Sequence, residues 1–186
     1  MKRVSQFAFL AAAALAVAAC ASTKSRITTT YYTIRGASGA DLDREIAEKG
    51  PLEGHALASA AIKFVPVAVS YDESPEGCRF REAKFRVEAD VTLPRWRAQA
   101  SSDPDLRIAW EFLADYAREH EEQHVAIAEK FAKKIGDDLM AIPVKPSCDA
   151  LDEAAQRALK RNRRAHNREQ LAFDEREQKR LAILID

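Results

Sequence analysis

The sequence predicts an α+β fold: a small antiparallel sheet with a short helix in the N-terminal half, packed on a long two-helix hairpin in the C-terminal half. Two patterns and one break predict it. Between Ile27 and Leu93, apolar residues alternate with polar ones or stand in runs rich in Thr, Tyr and Ile, as strands require. From Pro104 onward, apolar residues recur every three or four positions, the spacing of one helical face. Pro143 and Pro146 interrupt that spacing, so the helical half folds back on itself.

Ile27 to Ile34 reads as the first strand and Gly36 to Gly39 as a turn. Asp41 to Lys49 reads as a short helix, stopped by Gly50-Pro51. Ala61 to Tyr71 and Phe80 to Leu93 read as two antiparallel strands, and Phe85, Val87, Ala89, Val91 and Leu93 share one face of the second. Pro66 has no N–H to give to a ladder, which puts its strand at an edge or its position at a bulge. The first long helix starts at Pro104 and ends near Gly136 to Met140. The second runs from about Asp149 to near Ile183. Its interior positions are Leu151, Ala155, Ala158, Asn162, Ala165 or His166, Glu169, and Ala172 or Phe173.

Residues 1–19 stand apart. Lys2 and Arg3 form a positive start, and Phe7 to Ala19 is apolar but too short to span a bilayer. The stretch ends in Val17-Ala18-Ala19-Cys20, which resembles a bacterial lipobox. That resemblance implies a signal peptide over 1–19, cleaved before Cys20, and lipidation of the Cys20 thiol; the polar stretch that follows reads as a tether over 20–26, and the remaining length suits a single domain over 27–186. The protein would then be exported, facing the periplasm and held to a membrane through its lipid anchor at Cys20. Ala21 follows Cys20 where an Asp would signal inner-membrane retention, which favours the outer membrane.

Once Lys2 and Arg3 are removed, 27 basic residues stand against 29 acidic ones, so no charge excess points to nucleic acid. The one basic cluster, Lys160-Arg161-Asn162-Arg163-Arg164, reads as a solvated helix face. Cys78 and Cys148 are the cysteines left after Cys20. An exported compartment is oxidising, and a Cys78–Cys148 disulfide is expected there. It would tie the strand-rich half to the loop after the first long helix. Neither cysteine has the C-x-x-C partner that zinc ligation favours.

The specific chemistry lies at His120-Glu121-Glu122-Gln123-His124, an H-E-x-x-H element. Residues i and i+4 share a helical face, so both imidazoles can reach one zinc ion. Glu121 falls beside the pair, where a carboxylate can take a proton from water. Trp110, Leu113, Ala117, Ile127, Phe131 and Ile135 continue the same three- and four-residue stripe, which turns His120 and His124 toward the interior. Tyr116, one turn earlier, reads mainly as core; it is also a candidate donor to a tetrahedral oxyanion.

A catalytic zinc needs a third protein ligand and an open position. The H-E-x-x-H-x-x-G-x-x-H scheme is excluded, because Ile127 and Lys130 stand where its Gly and His would be. The third ligand therefore comes from elsewhere, and the second long helix is the expected source. If the hairpin turns near residue 144, the level facing 122 is about 166, which makes His166 and Glu169 candidates. Asp174 lies one to two turns further on.

Tyr31-Tyr32-Thr33-Ile34-Arg35-Gly36, Gly50-Pro51, Cys78, Leu93-Pro94-Arg95-Trp96, Trp110, His120-Glu121 with His124, and Cys148 follow one another in an order that resembles the bacterial domain-of-unknown-function family 922, described as predicted secreted zinc-dependent proteases. The resemblance covers roughly Tyr31 to Asp174, and H-E-x-x-H is its specific part. Members often end in an element resembling Y-D-x-x-T-x-H-G. Phe173-Asp174 fits its first two positions; Glu177 and Lys179 stand where the Thr and His would be. The resemblance implies Asp174 as third ligand, whereas the hairpin estimate points to His166 or Glu169.

The constellation implies a zincin-like metallopeptidase that hydrolyses peptide bonds in the cell envelope, with zinc-activated water and Glu121 as general base. Its partners would be a peptide or protein substrate and the membrane. The alternative is a catalytically degenerate envelope lipoprotein with a structural or partner-binding role.

Overall fold

Ser38 caps a helix because its side chain accepts from the Asp41 amide at 3.3 Å while its own hydroxyl donates to the Asp41 carboxylate at 2.8 Å. That helix, α1 (Gly39–Lys49), follows strand β1 (Arg26–Gly36) and precedes β2 (Ser59–Ser74), β3 (Gly77–Ala98), α2 (Pro104–Met140) and α3 (Cys148–Ile185). The structure is a computed structural model and describes residues 23–98 and 103–185. The signal segment 1–19, Cys20 and the first part of the 20–26 tether lie outside the described residues. No helix among the described residues is long and apolar enough to cross a membrane.

The sheet is mixed, not antiparallel. Its order is β1-β3-β2, with β2 antiparallel and β1 parallel to the central β3. Only β2 and β3 are joined by a tight turn, and such a turn forces antiparallel pairing. β1 is joined to β2 through α1, so its direction is free of that constraint. β3 is 22 residues long and serves both neighbours: Gly77 to Thr92 pairs with β2, and Glu88 to Ala98 with β1. Pro66 lies on the edge strand β2, and the register slips between Pro66 and Ala68. The missing N–H thus falls at a bulge.

Val87, Ala89, Val91 and Leu93 of β3 pack on Val125, Ala128 and Ala132 of α2 to form the main core. A second cluster joins Ala83 of β3 to Ile135 and Leu139 of α2 and to Ala155 and Ala158 of α3. Gly136 marks the closest approach of α2 to the sheet: a Cβ there would meet the Ala83 carbonyl oxygen at 2.5 Å. The exposed basic run 160–164 turns only Asn162 inward, where it donates to Asp138 Oδ2 at 2.8 Å and ties α3 to α2.

A disulfide joins Cys78 in the β2–β3 hairpin to Cys148 at the start of α3. The backbone of Cys78 also pairs with Lys145 in an isolated bridge, so the connection 141–147 runs beside the sheet before α3 begins. Gly77 makes this possible. Its φ is +125°, and a Cβ would lie 2.1 Å from the Lys145 carbonyl oxygen.

Candidate metal centre

Two helices bring three ligating atoms together. His120 and His124 are one turn apart on α2, and Asp174 faces them from α3. His124 Nε2 lies 3.1 Å from His120 Nε2 and 3.0 Å from Asp174 Oδ1, and His120 Nε2 lies 3.3 Å from the same oxygen. Phe173 backs both rings, at 4.8 Å from His120 and 5.0 Å from His124 between centroids.

The donor set fits a divalent cation. Ligands placed tetrahedrally at zinc–nitrogen and zinc–oxygen bond lengths stand roughly 3.3 Å apart, close to the three separations seen here. Two imidazole nitrogens and a carboxylate oxygen all offer lone pairs to one point, so a proton or a cation must lie between them. Burial, and then the neighbouring His124, hold the His120 imidazole below its usual pKa; Asp174 and Glu177 pull the other way. A neutral imidazole is the form that ligates. The cluster His120, His124 and Asp174 is the one group among the described residues with the geometry to hold a metal ion.

Glu121 is buried more deeply than either histidine, at 5% exposure. The most buried line of α2 runs Ala117, Glu121, Val125 and Ala128 toward the sheet, and His120 and His124 flank it, half-buried. The three- and four-residue spacing turns the histidines inward with the glutamate beside them; the observed helical face is rotated from that by about one residue. Desolvation pushes the Glu121 carboxyl up to about 7 from 4.5, with Asp174 adding to the rise and His124 opposing it. Such a carboxyl exchanges a proton near neutrality.

Glu121, both histidines and Asp174 border one open cavity of about 850 Å³. Ser59 to Ile62 of the edge strand β2 form another wall. Tyr116 also borders it, but its hydroxyl donates to Glu177 Oε2 at 3.1 Å. Arg180 donates to the same oxygen at 2.6 Å.

Of the three residues considered as third ligand, the structure brings Asp174 to the histidine pair. Glu169 instead pairs with Lys130 at 2.8 Å. His166 packs edge-on against Phe64 and Phe131 and contacts Gln170. The hairpin estimate misplaced the level because the connection is not a symmetric turn. The Cys78–Lys145 bridge carries it along the sheet, so the residues of α3 facing His120 and His124 come later than 166.

Gln170 was not foreseen. Its Oε1 lies 2.6 Å from His124 Nδ1, and its Nε2 contacts the His124 carbonyl oxygen at 3.0 Å and His166 Nε2 at 2.8 Å. A signal for it was present in the sequence: His166, Gln170 and Asp174 form a polar stripe at four-residue spacing, the counterpart of His120 and His124.

Fold and site together define an α+β protein with a candidate cation centre divided between the two helices of a hairpin. The chain belongs to a family of bacterial proteins of unknown function (DUF922), whose model matches residues 29–180. The match runs from β1 into the last turns of α3 and takes in every residue of the cluster. No curated protein and no solved structure matches the chain.

Proposed function

We propose that the protein is a zinc-dependent peptidase of the cell envelope, with His120, His124 and Asp174 holding the metal and Glu121 as general base. The observation that carries this reading is the triangle of 3.0, 3.1 and 3.3 Å between the three ligand atoms, with a buried carboxyl poised near neutrality in the same cavity. A zinc ion so held supplies Lewis-acid polarisation of a carbonyl and acidifies water. Glu121 takes the proton from the attacking water and delivers it to the leaving amine. Its low-dielectric surroundings keep that proton transfer close to balanced at neutral pH. Phe173 holds the two imidazoles in place from behind.

A peptide is the substrate that suits the cavity. β2 is an edge strand, and an extended chain can lie along its unpaired backbone groups beside the metal point. Export, cleavage before Cys20 and anchoring of Cys20 in the outer membrane would place that chemistry in the periplasm, in a single domain over 27–186.

Zinc-loaded protein incubated with unfolded polypeptides, read by mass spectrometry of new N-termini, tests the reading. Cleavage that disappears in Glu121→Gln while zinc stays bound is the expected result. Zinc binding without cleavage by the wild type would favour the catalytically degenerate alternative. Failure to bind zinc with the fold intact would remove the metal reading altogether.

A further inference from the structure

Gln170 occupies a place that no ligand role explains, since its amide faces one candidate ligand from behind. The orientation of that amide follows from its neighbours. The His124 backbone carbonyl can only accept, so the end of Gln170 lying 3.0 Å from it is the NH2 group. The second hydrogen of that group points to His166 Nε2 at 2.8 Å, which must present its lone pair. His166 then carries its proton on Nδ1, toward Asn167 Oδ1 at 3.4 Å. Gln170 Oε1 is left facing His124 Nδ1 at 2.6 Å, and a carbonyl oxygen requires a hydrogen there.

We infer that Gln170 is a positioning residue that fixes the His124 proton on Nδ1 and so presents its Nε2 lone pair to the metal point. His166 holds Gln170 in turn. His166 is 8% exposed and wedged edge-on between Phe64 and Phe131, at 5.0 and 5.4 Å, so its ring keeps its direction. A flipped Gln170 amide would set oxygen against the His124 carbonyl oxygen and the His166 lone pair at once. The device serves one ligand only. His120 Nδ1 is buried and has no hydrogen-bond partner among the described residues. The tautomer of His124 is thus set by the protein before any cation arrives, whereas no hydrogen bond to Nδ1 among the described residues sets that of His120. Second-layer partners of this kind set the tautomer of metal-binding histidines, and their loss costs about 10- to 100-fold in metal affinity.

The inference rests on the metal reading, and its test has an arm independent of that reading. Long-range ¹H–¹⁵N NMR of the metal-free protein at pH 8 reports which ring nitrogen of His124 carries hydrogen. The expected result is Nδ1–H in the wild type and a tautomer mixture in Gln170→Leu. Zinc affinity by chelator competition should fall about 10- to 100-fold in Gln170→Leu. Glu169→Gln, one residue away and paired with Lys130, should leave both readouts unchanged. A wild-type ring protonated on Nε2 would overturn the inference, and this holds even where a variant fails to fold. Unchanged tautomer and affinity in folded Gln170→Leu would overturn it as well. A wild type that binds no zinc but keeps Nδ1–H, lost in Gln170→Leu, would sink the metal reading and leave the orientation of His124 standing.

Discussion

His124 Nε2 and Asp174 Oδ1 lie 3.0 Å apart from opposite helices of the hairpin. A metal centre there depends on the packing of α3 against α2 as much as on the H-E-x-x-H spacing. Each ligand is therefore open to a separate test. The purified protein is expected to hold one zinc ion per chain, and His120→Ala, His124→Ala and Asp174→Ala should each weaken binding by roughly 100-fold or more, beyond the cost of an outer-layer change. Chelator competition with circular dichroism as a fold control measures this. Full retention of zinc by Asp174→Ala would exclude it as ligand.

Glu121→Gln separates proton transfer from metal holding. The glutamine keeps the shape of the side chain and removes its basic form. Zinc content should stay at the wild-type level while turnover of any cleaved peptide falls by roughly 10²- to 10⁴-fold. Wild-type turnover in the variant would transfer the base to another group.

The raised pKa of Glu121 also predicts a pH dependence of stability in the metal-free protein. Unfolded, the carboxyl loses its proton near 4.5; folded, near 7. Between those values the folded state binds more protons, so this group's contribution to stability is full below about 4.5 and is lost as pH rises toward 7. The loss is at most about 3 kcal/mol. His120 and His166 are held low by burial and act with the opposite sign, but they are common to wild type and variant. Urea unfolding of EDTA-treated wild type and Glu121→Gln at pH 4, 5.5 and 7.5 should show the variant gaining on the wild type as pH rises. A constant difference would contradict the assignment.

Reduction of Cys78–Cys148 should destabilise the fold by about 4 kcal/mol in the chain-entropy account, because the bridge spans a sequence separation of 70. Denaturant midpoints with and without reductant, and for the Cys78→Ser, Cys148→Ser double variant, check the figure. A loss below about 1 kcal/mol would mean that the Cys78–Lys145 backbone pairing and the surrounding core already fix this corner.

Much of this was legible in the sequence. Alternation in β3 set Val87, Ala89, Val91 and Leu93 inward, and Pro66 called for an edge strand or a bulge, both of which occur. Leu151, Ala155, Ala158, Asn162, His166 and Phe173 are the buried line of α3, as their spacing required; Glu169 leaves it for Lys130. The parallel direction of β1 was hidden because pairing across a sheet depends on where a helical connection delivers the chain, which local pattern does not encode. The choice among Asp174, His166 and Glu169 was open for a similar reason. It turns on a shift of a few residues between two helices, and that shift comes from the bridge between Cys78 and Lys145. The depth of Glu121 was hidden by a rotation of one residue around α2.

The disulfide and the candidate ligand triangle lie toward opposite ends of α3. Cys148 is bonded beside the bend of the hairpin, whereas Asp174 lies roughly 39 Å further along the helix, toward its open end. If the triangle holds a cation, stripping that cation would loosen the far end and leave the disulfide-bonded end fastened. Amide exchange should then quicken beyond Asp174 while the turns next to Cys148 stay protected, so the last stretch of this helix would behave as a latch that the metal shuts.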